Sequence, residues 1–444
     1  MFSSELDRVR DPLLTRSWGI VLGTAILIAV AASLVSARTV AVSYWIVAGG
    51  FLAAAALRRS PDWSQLPPGP VAFHLAGFLL FALLSTAWAA RPGIPLEKAC
   101  LAMLVAASAW IVAQLMKSET RPNLLHMGEG IWMGLLIGLL YLLVEILTDQ
   151  SIKLWLFRTI GLGPSDLKPV IFFEWGGNRL LSISRDDLSR NMTSAVLFLW
   201  PTILAVRASW ARSWRAFGAV FVAALATIVV MMSWHESSKL ALLVGLVVFA
   251  IANVSLRLVG RLAAIAWIGA CLAMPPAALI ADRLDLHHAS WIQPTARHRI
   301  IIWNYTAEKM LTAPLLGVGA NMTYVLGPEL EADMPEEPGG TLVETLSIHS
   351  HSIYLQTWFE LGLIGAALLT LFGLSILGAI RSLAPQTQTY AYATFATAAA
   401  MASSSYGMWQ LWFMASFALS AVLFCIGARI APAADETVPS QSTG

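Results

Sequence analysis

Charge is what this 444-residue sequence is short of: Asp, Glu, Lys and Arg make up only 12% of it, against about 25% in a soluble domain. So few charged side chains cannot clothe a water-facing surface, which excludes an ordinary soluble globular protein. The formal net charge of +2 says little by itself, and we expect no nucleic-acid partner. Cysteine is scarce too. Cys100, Cys271 and Cys425 all lie inside apolar runs, with no Cys-x-x-Cys pair and none in a loop, which excludes a disulfide framework or a thiolate metal site. There is no internal repeat of fixed period, and no inverted pair of broken helices of the kind that marks many transporters. No cleavage site follows the first apolar run, so 1–16 reads as a cytoplasmic leader to a retained helix rather than a removed signal peptide.

What the chain has in abundance is apolar length. Hydrophobic residues make up 57% and the mean hydropathy is +0.69. Runs of about 20 residues, enough to cross a bilayer core, recur throughout. We expect an all-α polytopic membrane protein of about twelve spans, at 17–38, 40–57, 71–90, 97–116, 125–149, 191–210, 213–232, 238–255, 259–281, 352–380, 388–406 and 408–428. With the N-terminus inside, fourteen basic residues, from Arg8 to Arg429, fall in short segments on that side. Only Arg38, Arg91, Lys98 and Lys239 fall opposite. The positive-inside rule then places both termini in the cytoplasm. Residues 17–429 read as one transmembrane domain with two long outer loops, 150–190 and 282–351. The polar tail 430–444 reads as disordered.

The outer loops hold the reactive side chains. Arg179, Arg185 and Arg190 approach the membrane before the sixth span, where a helix-end arginine alone can be a snorkelling residue. In the second loop, Ile300, Ile301, Tyr305 and Met310 recur at helical spacing, predicting an amphipathic helix over 297–311 at the membrane surface. Arg297 and Arg299 fall in its first turn, where the helix dipole disfavours cations unless an anion is near. Pro314, Gly317 and Gly319 end it. The acids Glu329, Glu331, Asp333, Glu336 and Glu337 are spaced too irregularly for a divalent site and read as a solvated flap. The pair His287–His288 reads as solvent-facing, and we expect no metal. Last comes His349-Ser350-His351 at the mouth of an apolar helix, two side chains able to exchange a proton near neutral pH.

Several of these segments resemble a known family. His351-Ser352, nine residues, Gly362, two residues and Gly365 fit the H-[NSQ]-x9-G-x2-[GTY] signature of bacterial O-antigen ligases. Leu355-Gln-Thr-Trp-Phe-Glu-Leu-Gly362 is similar to the L-Q-x-W-x-E-x-G stretch of the wider ligase and polymerase superfamily. Arg299-Ile-Ile-Ile-Trp303 and Pro314-Leu-Leu-Gly-Val-Gly319 resemble its R-x3-W and P-L-L-G-x-G segments. Ser189-Arg-Asn and Leu197-Phe-Leu-Trp-Pro201 resemble the N-R-G and L-W-P of one branch, and Ser233–Leu243 its Ser-rich outer turn. The resemblance covers roughly 175–375. It departs where the family's frequent H-P-H-N is His349-Ser-His351-Ser here.

The resemblance implies a membrane-embedded C-class glycosyltransferase. Such an enzyme takes a glycan from undecaprenyl pyrophosphate at the periplasmic face of the bacterial inner membrane and passes it to a sugar hydroxyl of lipid A–core. It is regarded as inverting and metal-independent, so no cofactor is expected. Without a metal, arginine suits the pyrophosphate, being permanently charged and forked. Arg299 and Arg190 are the candidates for that role, with Arg185 the runner-up to Arg190 and Arg297 an auxiliary. His351 is the candidate general base, and His349 reads as a residue that orders the loop behind it or, if the mouth is extended, lines the cleft beside it as a substrate contact. Lys239 is a candidate substrate contact whose plainer reading is an interfacial salt bridge with Glu236. Glu360, two turns into its span, reads as a structural hydrogen-bonding group, as do His74, His126 and His235. A polymerase of the same superfamily, acting on O-antigen or exopolysaccharide, is the alternative. A polysaccharide transporter or flippase is a third reading.

Overall fold

The structure, a computed structural model, describes residues 12–57, 69–163, 173–177, 179–211, 213–332 and 347–431. The first part of the leader, most of the acidic flap (Asp333, Glu336, Glu337) and the tail from 432 lie outside the described residues. The helices in chain order are α1 (Pro12–Val35), α2 (Val40–Leu57), α3 (Pro70–Leu84), α4 (Gly93–Leu115), α5 (Arg121–Leu147) and α6 (Ser151–Ile160). A hairpin of β1 (Phe173–Gly176) and β2 (Arg179–Ile183) follows. Then come α7 (Ser189–Ser209), α8 (Arg215–Met232), α9 (Glu236–Val254), α10 (Leu256–Arg283), α11 (Pro294–Lys309) and α12 (Thr323–Ala332). The chain closes with α13 (Ile353–Arg381), α14 (Pro385–Ser404) and α15 (Leu411–Ile430).

Among the described residues, eleven helices are long and apolar enough to cross a membrane, and the protein is an all-α polytopic membrane protein. The twelfth expected span, 388–406, is present as the 20-residue helix α14. Its Gln, Thr and Tyr residues leave it less apolar than the others, and it packs against α9 and α7 instead of relying on lipid. The first long loop contains α6 and the antiparallel hairpin.

Close backbone approach builds the first layer. Gly130, Gly134 and Gly138 of α5 line up against Gly23, Leu27 and Leu34 of α1, where a methyl group at Gly134 would lie 2.6 Å from the Leu27 carbonyl oxygen. Small residues four apart let membrane helices meet along their length.

Helix α7 is the axis of the bundle, with 89% of its apolar window buried against α5, α8, α14 and α15. Pro201 sits inside it, so the carbonyl of Leu197 has no helical donor. Ser420 of α15 supplies one, at 2.7 Å, because a bare carbonyl in a water-free bundle costs free energy. The neighbouring Trp200 donates to Thr397 at 2.9 Å.

Helix α13 is broken at Gly362 (φ 62°, ψ −160°). The Pro314–Gly319 segment runs beside the break and repairs it. Val318 and Gly319 donate to the carbonyls of Phe359 and Glu360 at 3.1 and 2.8 Å, while Leu363 donates to that of Pro314 at 2.9 Å. The Glu360 carboxylate, fully buried, is the second anchor. It accepts from Asn321 N (2.8 Å), Thr323 N (3.3 Å), Thr323 Oγ1 (2.6 Å), Gln356 Nε2 (3.0 Å) and Trp409 Nε1 (2.5 Å). The structural role expected of Glu360 is what these bonds describe.

Candidate functional site

Four helices, α7, α9, α13 and α15, begin at one end of the bundle, and the connections around them meet over a cleft of ≈ 210 Å³. Arg190 enters from the first turn of α7, Trp234 and His235 from the α8–α9 turn, Arg299 from α11, His351 from the residues before α13, and Ser405 and Tyr406 from the α14–α15 connection. Helix N-termini expose unpaired N–H groups and carry partial positive charge, so this end of the fold favours an anion before any side chain is counted.

The two arginines add to that. Arg190 lies over the rings of Trp412 and Tyr406, 5.4 and 5.9 Å from their centroids, and Arg299 is half-buried, a desolvation that pulls its guanidinium below the usual range. Among the described residues no carboxylate pairs with either. Asp186 and Glu236 also line the cleft, but Glu236 is engaged by Lys239 at 2.8 Å. A cation drawn partly out of water without an anion loses hydration that nothing replaces. The cleft is therefore electrostatically incomplete in a way that a phosphate-bearing ligand would complete.

His351 is held by its backbone and its ring. Its φ of 53° is left-handed, a conformation costly for a residue with a Cβ and common at functional sites. Its Nδ1 donates to the carbonyl of Ser405 at 2.6 Å. That bond assigns the proton to Nδ1 and leaves Nε2 as an unprotonated acceptor. Burial pushes the ring down to about 3, helped by His349 and Arg299 and opposed by the Ser405 carbonyl, so His351 is neutral at neutral pH. His349 stands behind it with ring centroids 4.2 Å apart. It too is lowered by burial, to about 4.

The R-x3-W spacing now has a physical meaning. One turn beyond Arg299, Trp303 donates its indole N–H to the carbonyl of Ser350 at 2.9 Å, tying the arginine helix to the histidine loop. The helix itself starts three residues earlier than expected, at Pro294, which puts Arg299 in the second turn. It does not offer one wet face either. Ile300 to Ile302 and Asn304 to Ala307 are all buried, against α10 and α13.

The remaining sequence candidates are placed around this cleft but not in it. Arg185 bonds Asp149 through Nε (2.9 Å) and Nη2 (2.6 Å) and lines the adjoining cavity. Arg297 has its Nε buried without a partner and does not border the cleft. Lys239 reaches it only through Glu236. Of the pair His287–His288, His288 is exposed and His287 half-buried, and their ring nitrogens and an Asp285 oxygen lie within 4.8 Å of one another.

Sequence reading missed His235, Ser405 and Tyr406. His235 bonds Ser238 at 2.7 Å as a structural histidine would, yet it also faces the cleft, and burial and Arg299 lower it to about 3. Ser405 and Tyr406 were absorbed into a predicted span. The available signal was the uncharged but aromatic Tyr406-Gly-Met-Trp-Gln410, too polar at its ends for mid-membrane.

Fold and cleft together define a polytopic membrane protein in which two arginines and a neutral histidine line one cleft. Residues 221–370, about a third of the chain, match the model of the family described as O-antigen ligase. The matched segment holds Arg299, His351 and Gly362, but not Arg190 or Tyr406. A protein of Rickettsia typhi provisionally named a polysaccharide ligase is 29% identical over 199 residues, 43% of this chain and 48% of that protein. One of Rickettsia conorii with the same provisional name is 30% identical over 176 residues, 39% of this chain and 42% of the relative. The chain thus matches less than half the length of these relatives.

Proposed function

We propose that this protein is a glycosyltransferase that moves a glycan from undecaprenyl pyrophosphate to a sugar hydroxyl of lipid A–core, at the periplasmic face of the bacterial inner membrane, with both termini cytoplasmic. The observation that carries this reading is the joint lining of one cleft by Arg190, Arg299 and His351, whose Nε2 is left as an acceptor by the Nδ1 bond to Ser405. In the reaction the acceptor oxygen attacks the anomeric carbon and forms the new glycosidic bond. The bond from that carbon to the phosphate oxygen breaks, and undecaprenyl pyrophosphate leaves with the electron pair. The acceptor's proton passes to His351 Nε2.

Arg190 and Arg299 bind the leaving pyrophosphate and offset its growing charge. Loss of one such preorganised donor typically costs about 2.7–4 kcal/mol of barrier. His351 contributes roughly 10²–10⁴ in rate as general base. An isolated ring titrating near 3 would be a weak base. Burial is the main cause of that lowering; the donor's own negative charge, seated beside Arg299, offsets the smaller electrostatic part and raises the ring's proton affinity when the acceptor arrives.

The test is transfer by the purified protein from lipid-linked glycan to lipid A–core, with His351→Gln and Arg299→Lys beside the wild type. Glycosylated core made by wild type, with roughly 100-fold or greater loss in His351→Gln and no effect of a chelator, is the expected result. Full activity of His351→Gln would remove it as base. Longer lipid-linked polymer in place of glycosylated core would move the protein to the polymerases.

A further inference from the structure

The sequence points to a membrane-surface helix at 297–311, but α11 is enclosed there over 300–302 and 304–307. Helix α6 has the outward apolar face that α11 lacks. None of its ten residues is buried. On one side Leu154 and Phe157 pack on the hairpin residues Phe173, Leu180 and Ile183. Both of its cations are engaged on that same side. Lys153 bonds the Asp187 carboxylate, and Arg158 donates through Nε and Nη2 to the carbonyls of Leu180 (2.8 Å) and Leu181 (3.0 Å). The other side is Ile152, Trp155, Leu156 and Ile160, all exposed, Trp155 by 64% and Ile160 by 61%. Steps of three, four and eight from Ile152 keep these four on one face. The Thr159 hydroxyl beside them is taken up by the Trp155 carbonyl at 2.8 Å. A water-facing helix does the reverse, turning charge outward and apolar side chains inward. An apolar face left outside marks an interaction surface.

We propose that α6 lies along the membrane surface, with this face sunk into lipid at the boundary of headgroups and acyl chains and the hairpin resting on top of it. Lipid, and not a second protein, is what the neighbouring structure supplies. Met133, Ile137, Leu140, Val144 and Leu147 form an exposed apolar stripe along α5, one of the helices long and apolar enough to cross the membrane. That stripe runs to the last residue of α5, and the α6 face begins five residues further on. The connection between them is fixed. Asp149 and Gln150 turn the chain at positive φ, and the Gln150 N–H donates to the Glu145 carbonyl at 2.7 Å. The Glu145 carboxylate then caps α6 by accepting from the Lys153 N–H at 3.0 Å. The helix thus starts where the span leaves the bilayer, the depth at which tryptophan settles, and burial of apolar area drives such in-plane binding. The consequence reaches the cleft. Gln150 donates to the carbonyls of Ile183 (3.2 Å) and Ser184 (2.7 Å), and Arg185 donates to Asp149, so the segment leading to Arg190 is tied to this seat. On the transferase reading, the seat holds Arg190 at the height of a lipid-linked pyrophosphate; the seating itself does not depend on that reading.

The test places the full wild-type chain, one copy per disc, in lipid nanodiscs containing a phosphatidylcholine whose acyl chain carries a diazirine near its ester end. After illumination, mass spectrometry of the peptides reads where lipid has become attached. We expect attachment on Trp155 and Leu156 and on the α5 stripe, and none on Glu174, exposed next to Phe173 in β1 and so on the hairpin face turned away from α6. An α6 peptide left unlabelled where α5 is labelled overturns the proposal. So does α6 labelling that disappears in discs holding two copies, which would put a second copy on this face. A double variant, Trp155→Glu with Ile160→Glu, puts charge on the face and should cut α6 labelling roughly fivefold or more while α5 labelling is unchanged. Labelling of α6 unmoved by those charges also overturns the proposal, and the wild-type arm decides without any variant having to fold. Transfer is assayed in the same discs. Lipid contact by α6 in a wild type that transfers nothing would sink the transferase reading and leave the membrane seat standing. Normal transfer with α6 unlabelled would do the reverse.

Discussion

Trp303 holds Ser350: its indole N–H meets the Ser350 carbonyl at 2.9 Å, so the helix bearing Arg299 and the loop bearing His351 are fastened at adjacent residues. Reacting groups on two separate elements need such a fastening, since a displacement of about 1 Å can cost roughly 10² in rate.

Trp303→Phe keeps the ring's bulk and removes only the donor. The expected outcome is a stability loss of about 1 kcal/mol and a fall in turnover of about tenfold or more. Thermal unfolding and the transfer assay on the same preparation read the two effects. Turnover that falls no further than stability predicts would argue against a positioning role.

At Gly362, φ 62° and ψ −160° lie where only glycine sits without strain, and an added Cβ would run into the backbone of Leu315 and Leu316. Gly362→Ala should therefore destabilise by more than the 1–3 kcal/mol of backbone strain alone. A folded variant melting within a degree or two of wild type would show that the break in α13 is not required.

Glu360 receives five hydrogen bonds and offers none. In Glu360→Gln one oxygen becomes a donor facing donors, at a cost of about 1–3 kcal/mol for each bond lost. Because these bonds join α13 to 321–323 and to Trp409, the variant should lose stability and, with it, accumulation in membranes. Wild-type yield and melting would contradict the structural role.

Stability should also fall with acid. His235, His349 and His351 are pushed down to about 3, 4 and 3 from an unfolded value of about 6.5. Between those limits the unfolded chain binds more protons than the native one, so unfolding free energy rises with pH. The contribution is complete above about pH 6.5 and is lost as pH falls toward the native values, by up to about 1.4 kcal/mol per pH unit for each ring. Melting temperatures taken from about pH 7.5 to about pH 5 should decline, and less steeply in His349→Gln. A flat profile would mean these rings are wetter than their burial implies.

Much of the fold was legible because bilayer thickness sets the length of an apolar run. The span expected at 40–57 is α2 to the residue. The span at 388–406 shows where that logic weakens: α14 is helical at almost that position but packs on α9, so its polar residues are tolerated by neighbours that hydropathy does not see. The hairpin before α7 carried no comparable signal, since its strands have only four and five residues.

Among the site candidates, residue type and the family resemblance pointed to His351, Arg299 and Arg190, with Arg185 the runner-up. Choosing Arg190 over Arg185 was a matter of packing: five positions apart, one lies against Tyr406 and Trp412 and the other is turned to Asp149. His351's tautomer likewise depends on Ser405, 54 residues away.

By itself the sequence determined that the chain lives in a membrane, how most of its helices run, and which kinds of reactive group it carries, because each of these follows from local composition, length and spacing. Only the tertiary structure decided which arginine shares a cleft with the histidine, and which nitrogen of that histidine is left bare. Those are relations between residues far apart in the chain, and they exist only once α7, α9, α11, α13 and α15 are packed together.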